Sequence, residues 1–172
     1  MRDETHVMVD IETLGRDADA PILQIGLIRF DSGGLHEEIA ETVSLESNEE
    51  VGQWGIEAET LTWWLEQEAA DHALASPGGI ESALQTVIEA THDADAVWAC
   101  SPKFDCTILE HAYGQIGWGS PWEYYELRDV RTVREESPHW PDHEQEGTEH
   151  DALADARYHA RCVRDYLAAV EE

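Results

Sequence analysis

The sequence is poor in basic residues and lacks long apolar runs. It has a single lysine, Lys103, and ten basic residues in all against 38 acidic ones, which gives the 172-residue chain a formal net charge of −28. No apolar stretch approaches the roughly 20 residues of a membrane-spanning helix, so we expect no membrane association. The first six residues carry both charge signs and fit neither a secretory signal nor a transit peptide.

Cysteine is also scarce, with Cys100, Cys106 and Cys162 as its three occurrences. The odd number argues against a disulfide framework, and no pair has the C-x-x-C spacing of a thiolate metal site. A reducing cytoplasm is therefore the expected location. The length and the hydrophobic content of 42% predict that residues 1–172 form one domain around one core.

The acidic residues are spread along the chain instead of being gathered in a tail. They occur in segments with apolar periodicity, such as 57–71 and 152–170, so we expect an acidic, solvated shell on a folded domain. With lysine nearly absent, the composition is similar to that of proteins from salt-accumulating halophiles, which predicts a halophile or a virus of one as the source. An acidic protein of an ordinary cytoplasm is the alternative. The sequence leaves the oligomeric state open, a homodimer included.

The hydrophobic pattern predicts strands first and helices later. Strands are expected at 6–11, 22–30, 38–43, 94–100 and, in an aromatic segment, 120–126. Helices are expected around 61–69, 80–88, 104–116, 130–135 and 149–170, and an exposed loop around 137–147. This order predicts an α/β domain with a mixed five-stranded sheet flanked by helices on both faces.

Asp10 and Glu12 lie two residues apart at the end of the first predicted strand. Side chains alternate along a strand, so both carboxylates should lie on the same face. Held close together in a mostly buried strand, they would repel each other and lose hydration, a cost that a bound cation removes. A D-x-E pair alone is a weak signal, because many such pairs are solvated strand ends.

Two further groups of polar residues follow at helix starts. Asp105 follows the predicted strand 94–100, although an isolated aspartate there is more often a helix cap. His150 and Asp155 open the terminal helix, where Leu153 and Ala156 already account for the apolar face. Taken alone, a histidine in this position is more often solvated than catalytic.

Together the motifs resemble the DEDDh-type 3′→5′ exonucleases of the RNase H-like superfamily. The resemblance covers nearly the whole chain and rests on Met8-Val9-Asp10-Ile11-Glu12-Thr13-Leu14-Gly15, Phe104-Asp105 and His150-Asp151-Ala152-Leu153-Ala154-Asp155-Ala156. The segments 60–67 and 128–132 are similar to the small phage and bacterial exoribonuclease branch, which includes the T-even phage exodeoxyribonuclease and is related to RNase T and oligoribonuclease. Many relatives carry Asn or Gly shortly before the second-motif aspartate, where this chain has Ser101-Pro102-Lys103.

The resemblance implies an RNase H-like fold and a hydrolase that releases nucleoside 5′-monophosphates from single-stranded RNA or DNA 3′ ends, with RNA favoured. Asp10, Glu12, Asp105 and Asp155 would bind two Mg²⁺ or Mn²⁺ ions, and His150 would act as general base. A DNA exonuclease, a silent nucleic-acid-binding module of the same fold and a chance cluster of acidic side chains are the alternatives.

Several further residues are candidates for contact with the substrate. By resemblance, Thr13 and Leu14 follow the first motif, and Leu14 would pack against the terminal base. Phe104 and Trp63 are further candidates, whereas Trp64 shares the apolar stripe and is predicted to be core. Arg128 and Arg131 could steady a phosphate or form surface salt bridges. His139 and His143 are alternatives to His150 as the base, without its spacing to an aspartate.

Overall fold

A computed structural model gives the fold and describes residues 4–67, 70–74, 78–141, 143–147 and 150–170. Its strands are β1 (His6–Thr13), β2 (Ile22–Asp31), β3 (Gly34–Thr42), β4 (Ala96–Ala99) and β5 (Leu127–Asp129). They form one sheet in the order β3-β2-β1-β4-β5. The first three strands pair antiparallel and β1, β4 and β5 pair parallel, which confirms the predicted mixed five-stranded sheet.

The described helices are α1 (Leu45–Glu50), α2 (Ala58–Trp64), α3 (Ala70–Leu74), α4 (Ile80–Thr91), α5 (Pro102–Gln115), α6 (Val130–Glu136) and α7 (Ala152–Val170). Among these described helices, none combines the length and the hydropathy that a membrane crossing requires.

The core lies on both faces of the sheet, because side chains of the central strand β1 alternate between them. Val7, Val9 and Ile11 pack with residues of α4 and α5 on one face. Met8 packs with residues of α6 and α7 on the other face. Asp10 and Glu12 continue the alternation of Met8 and therefore point toward the face that carries α7.

Several elements differ from those predicted. Segment 120–126, predicted as the last strand, is a series of turns with Tyr124 and Tyr125 exposed, and the strand follows at β5. Its aromatic residues do not alternate between buried and exposed positions, so its high aromatic content wrongly indicated a strand. The helix predicted over 61–69 ends at Trp64, and its last predicted residues, 68–69, lie outside the described part of the chain. Short helix α1, capped by the Ser44 hydroxyl, was not predicted.

The terminal helix begins three residues later than predicted. Residue 149 lies outside the described residues, His150 is in a turn, and α7 begins at Ala152. The Asp151 carboxylate accepts a hydrogen bond from the Ala154 amide at 2.9 Å, as an N-cap residue does. His150 and Asp155 therefore lie on either side of the helix start.

Candidate functional site

Asp10 and Glu12 extend beyond the paired part of the central parallel strands. The pairing of β1 with β4 ends where Val9 lies opposite Ala99, so the next residues of β1 project past the carboxyl end of β4. On the other side Asp10 lies opposite Gly26 and Glu12 opposite Gln24 in β2. The Asp10 and Glu12 side chains are partly buried at this position. In open α/β sheets, ligands usually bind at the carboxyl ends of the parallel strands.

Asp105 connects helix α5 to the same strand. Pro102 occupies the first turn of α5, where its missing N–H costs no hydrogen bond. The Asp105 carboxylate is 3% exposed and accepts hydrogen bonds from the Ile11 amide at 3.3 Å and the Ser101 amide at 3.4 Å. The side chain thus satisfies part of the helix N-terminus, as the capping interpretation predicts, and at the same time lies against β1.

The start of α7 is held on the sheet by β2. The Ala152 amide donates to Oε1 of Gln24 at 3.3 Å, and a Cβ at Gly26 would lie 2.1 Å from the Ala152 carbonyl oxygen. The helix can therefore approach this closely only because residue 26 is glycine. The contact places Asp155, in the first turn of α7, over the end of β1.

These elements form one cleft of about 490 Å³. Its lining includes the four predicted carboxylates, Asp10, Glu12, Asp105 and Asp155, together with Phe104, Arg16, Arg131, Cys100 and His159. His150 lies at the edge of the group: one ring nitrogen of His150 and one carboxylate oxygen each from Glu12 and Asp155 lie within 4.8 Å of one another. Residues distant along the chain therefore lie together around this cleft.

The cleft disfavours negative charge on its carboxylates. Burial is the largest cause that raises the pKa of Glu12, to about 8, and Asp155 and Asp105 add to it. Burial, followed by repulsion from Asp105 and Glu12, raises the pKa of Asp10 well above its ordinary value. For Asp105 burial raises the pKa to about 7 even though backbone hydrogen bonds oppose the shift.

This donor set fits hard divalent cations. A closely spaced group of oxygen ligands whose ionised forms repel one another is stabilised when a cation replaces the protons, and Mg²⁺ and Mn²⁺ prefer oxygen. The raised pKa values of Glu12 and Asp10 are the observation that supports this fit.

Two neighbouring tryptophans attach α2 to the site. Trp64 is 1% exposed, as predicted for a core residue, and its Nε1 donates to the Thr13 carbonyl oxygen at 2.9 Å. The ring of Trp63 meets the ring of His150 edge to face, with centroids 4.5 Å apart and planes at 88°. Trp63 therefore contacts the proposed base itself.

The proposed substrate contacts differ in accessibility. Phe104 lines the cleft. Leu14 is fully buried against Leu23, Trp64 and Ala73, and Thr13 is 6% exposed with its hydroxyl bonded to the Gly15 carbonyl oxygen. The structure thus places Thr13 and Leu14 below the surface, where neither side chain lines the cleft.

The alternative histidines lie elsewhere. Nε2 of His143 lies 2.8 Å from Oδ2 of Asp165, well along α7, and neither His139 nor His143 lines the cleft. Arg128 donates to the backbone carbonyls of Tyr125 and Leu127. Among the described residues Arg131 forms no ion pair with a carboxylate, so it does not make the surface salt bridge that was one of its two expected roles.

Sequence reasoning missed two contributors to the site. Nε2 of Gln145, in the loop before His150, donates a hydrogen bond to Oδ1 of Asp155. His159 follows Asp155 by one helical turn and also lines the cleft; burial is the main cause that lowers its pKa to about 4. The i to i+4 spacing from Asp155 could have indicated His159, whereas no local pattern marks Gln145.

Structures of exonuclease I share the fold. A product-bound exonuclease I matches with a TM-score of 0.67 at 14% identity, over 98% of this chain and 46% of that one. The E. coli enzyme in complex with a dT13 oligonucleotide matches with a TM-score of 0.69 at 15% identity, over 96% and 43%. The zinc-bound complex of the E. coli enzyme with single-stranded DNA gives 0.66 at 17%, over 98% and 43%.

At these identities the likeness shows the fold alone, and the chain spans less than half the length of those proteins. No curated protein sequence matches the chain. Residues 5–167 match the family described as the 3′-5′ exoribonuclease Rv2179c-like domain. The chain belongs to this family, within the DEDDh type of RNase H-like 3′-5′ exonucleases, as the sequence motifs predicted.

Proposed function

We propose that residues 1–172 form a single divalent-metal-dependent exonuclease domain that removes nucleoside 5′-monophosphates from single-stranded 3′ ends. The observation that carries this proposal is the cleft, in which four carboxylates from three separate segments meet and two of them have pKa values raised to about 7 and about 8. RNA is the favoured substrate because the family is described as exoribonucleases.

In this proposal Asp10, Glu12, Asp105 and Asp155 hold two Mg²⁺ or Mn²⁺ ions. When bound, such ions acidify the attacking water and neutralise the charge that develops on the leaving 3′ oxygen. Asp105 is already oriented by the amides of Ile11 and Ser101, so its carboxylate needs little rearrangement to act as a ligand.

His150 would take the proton from the attacking water. Its ring nitrogen lies within 4.8 Å of oxygens of Glu12 and Asp155, close to where the reacting water would be held. A histidine side chain suits this role, because its imidazole can accept and then release a proton. Trp63 packs edge to face against the ring. The oxygen of the water then joins the phosphorus as the bond to the 3′ oxygen breaks, which leaves the 5′-phosphate on the released nucleotide.

Arg131 and Phe104 are the proposed contacts with the strand itself. Arg131 lines the cleft and has no carboxylate ion pair among the described residues. Its side chain hydrogen-bonds Cys100, and the guanidinium has further N–H donors to offer to a phosphate. Phe104 offers a ring to a base, and Trp63, beside His150, is the second aromatic candidate. Leu14 and Thr13 would reach a base only after the packing around them opens.

A DNA substrate is the second candidate, because structures of the same fold are described as complexes with DNA oligonucleotides. The experiment is incubation of 5′-labelled single-stranded RNA and DNA of one sequence with Mn²⁺ or Mg²⁺. We expect a ladder that shortens from the 3′ end, faster for RNA.

Asp10→Asn and His150→Ala are the test variants, and His139→Ala is the control. Loss of one metal ligand should lower the rate by orders of magnitude, because the ligands act as a unit. The proposal is wrong if the wild-type protein leaves both strands intact, or if Asp10→Asn degrades them at the wild-type rate.

A further inference from the structure

One part of the cleft combines nitrogen and oxygen ligands. We call Glu12, His150 and Asp155 the His150 triad. Each of these side chains offers one ligand atom, and the three atoms lie within 4.8 Å of one another. Among the described residues, no other three histidine, cysteine or carboxylate side chains come this close together. Asp10 and Asp105 line the same cleft but do not belong to this set. The most compact ligand set at the edge of the cleft therefore includes an imidazole.

We propose that the His150 triad binds a borderline transition-metal ion of the Zn²⁺ type and that this ion inhibits the exonuclease. Zn²⁺ is bound by His nitrogen and Asp or Glu oxygen, often by three protein ligands with a fourth position left to water. Mg²⁺, by contrast, selects oxygen ligands. The inhibitory part of the inference rests on the proposed function; the binding part does not.

One of the three ligands lies outside the strands and helices. Tetrahedral coordination at about 2.0–2.1 Å requires ligand atoms roughly 3.3 Å apart, so the triad must contract by up to about 1.5 Å. Glu12 is fixed on β1 and Asp155 on α7, whereas His150 lies in the turn that precedes the helix. Its backbone has a φ of 62°, a conformation that histidine adopts more readily than most residues.

Occupation of the triad would remove the base from the reaction. A ring nitrogen that donates its lone pair to a metal cannot accept a proton from water. Glu12 and Asp155 would also be withdrawn from the ions that support hydrolysis. Because transition-metal affinity rises toward Zn²⁺ relative to Mn²⁺, a low concentration of Zn²⁺ could outcompete the activating ions.

Co²⁺ is the spectroscopic probe for this site, since its visible absorption reports both geometry and ligand type. We expect the wild-type protein to bind one Co²⁺ with the intense visible bands of a four-coordinate or five-coordinate site. Zn²⁺ affinity is then measured by competition with a chromophoric chelator. The full-length protein is used throughout, with wild type, His150→Ala and the control His139→Ala, whose histidine belongs to no such ligand group among the described residues.

His150→Ala should weaken Zn²⁺ binding by more than about tenfold, whereas His139→Ala should not. Mn²⁺ affinity should change much less in His150→Ala, because the remaining ligands are oxygens. The inference is overturned if His150→Ala binds Zn²⁺ as tightly as wild type. It is also overturned by a strong near-ultraviolet thiolate band of bound Co²⁺, which would place the metal at Cys100.

A separate assay tests inhibition. Zn²⁺ added to the Mg²⁺-supported wild-type reaction should suppress hydrolysis at the concentration that saturates the triad. If Zn²⁺ binding depends on His150 but hydrolysis continues at saturation, inhibition is refuted. If the wild-type protein hydrolyses nothing with any ion, the proposed function fails, and the Co²⁺ and Zn²⁺ binding results still decide the site.

Discussion

Glu12 shows how a single residue of the cleft links metal binding to folding. Its pKa is raised to about 8 from an ordinary value of 4.5, chiefly by burial. A carboxyl group with a raised folded-state pKa contributes stability that is fully present below pH 4.5 and is lost as the pH rises through about 8. The metal-free protein should therefore lose stability across this interval.

We predict that Glu12→Gln removes part of this loss in EDTA, because the amide cannot ionise. Each pKa unit corresponds to about 1.4 kcal/mol, so the variant should be more stable than wild type at pH 8.5 by a clearly measurable amount. Urea unfolding at pH 5.5 and 8.5 provides the measurement. Exposed Glu66→Gln is the control, and equal pH dependence in wild type and Glu12→Gln would refute the prediction.

A second residue-scale prediction concerns Gln145, whose amide donates to Oδ1 of Asp155. A hydrogen bond to a ligating carboxylate orients it, and loss of such a bond commonly costs about 10–100-fold in metal affinity. Gln145→Ala should therefore weaken Mn²⁺ binding, as measured by calorimetry. Gln85→Ala is the matched control, since Gln85 makes an amide-to-carboxylate bond to Glu89 at 3.0 Å on the exposed face of helix α4. Unchanged Mn²⁺ affinity in Gln145→Ala would contradict the role.

The residues of the cleft differ in how far sequence could predict them. Asp10, Glu12 and Asp155 stand in local motifs with fixed spacing, and the strand and helix periods already place them. Gln145 meets Asp155, and Trp63 meets His150, only because remote segments fold against each other. Leu14 shows the converse: its motif position suggested a substrate contact, whereas packing with Trp64 and Ala73 buries it completely.

At the scale of elements, the site depends on how closely α7 lies against β2. A Cβ at Gly26 would lie 2.1 Å from the Ala152 carbonyl oxygen, so any side chain there must push the helix start away. The same helix start carries Asp155 and is joined to His150. The position of two proposed functional residues thus depends on the absence of one side chain.

Gly26→Ala should destabilise the protein by about 1–3 kcal/mol through overpacking and should also weaken Mn²⁺ binding. The control is Gly114→Ala in α5, where a Cβ meets nothing within 4 Å. That replacement should be neutral or stabilising by up to about 1 kcal/mol. Chemical denaturation and Mn²⁺ titration of both variants provide the comparison. A Gly26→Ala protein with wild-type stability would show that the helix start is not confined there.

The elements themselves were predictable where burial follows a simple period. Strands β1 and β2 and helix α4 lie close to their predicted positions because their apolar residues repeat with the period of the structure. The last strand was predicted at the aromatic segment 120–126, just before its true position at β5. Strand β5 has only three residues and no fully buried position, so it carries no apolar pattern that a sequence analysis could detect. Helix α1 depends on Ser44 capping and on the buried Asn48, whose amide bonds Ile22 of β2.

At the scale of the whole molecule, charge dominates. A net charge of −28 on 172 residues opposes compaction by self-repulsion, and few cations offset it. The described ion pairs of Arg16, Arg157 and Arg161 are partly or fully exposed, so each contributes little at ordinary salt. The halophilic origin indicated by the composition stays a prediction.

We predict that the thermal midpoint rises as KCl is raised from 0.1 M to 2 M, because the Debye length falls from about 10 Å to below about 3 Å. Calorimetry at fixed pH with EDTA measures the effect of screening without divalent ions. A tetramethylammonium chloride series at the same ionic strengths is the control that separates screening from specific binding of K⁺. A midpoint that is constant or falls with KCl would contradict the prediction.

The central claim is that residues far apart along the chain share a pair of divalent ions in one cleft, and counting bound Mn²⁺ tests it most directly. Electron paramagnetic resonance of free Mn²⁺, in high monovalent salt and with a nucleoside 5′-monophosphate present, gives the stoichiometry. We predict two tightly bound ions for wild type and for the exposed-site control Asp17→Asn, and at least one fewer for Asp105→Asn and Asp155→Asn. Wild-type stoichiometry and affinity in both of the latter variants would contradict the account.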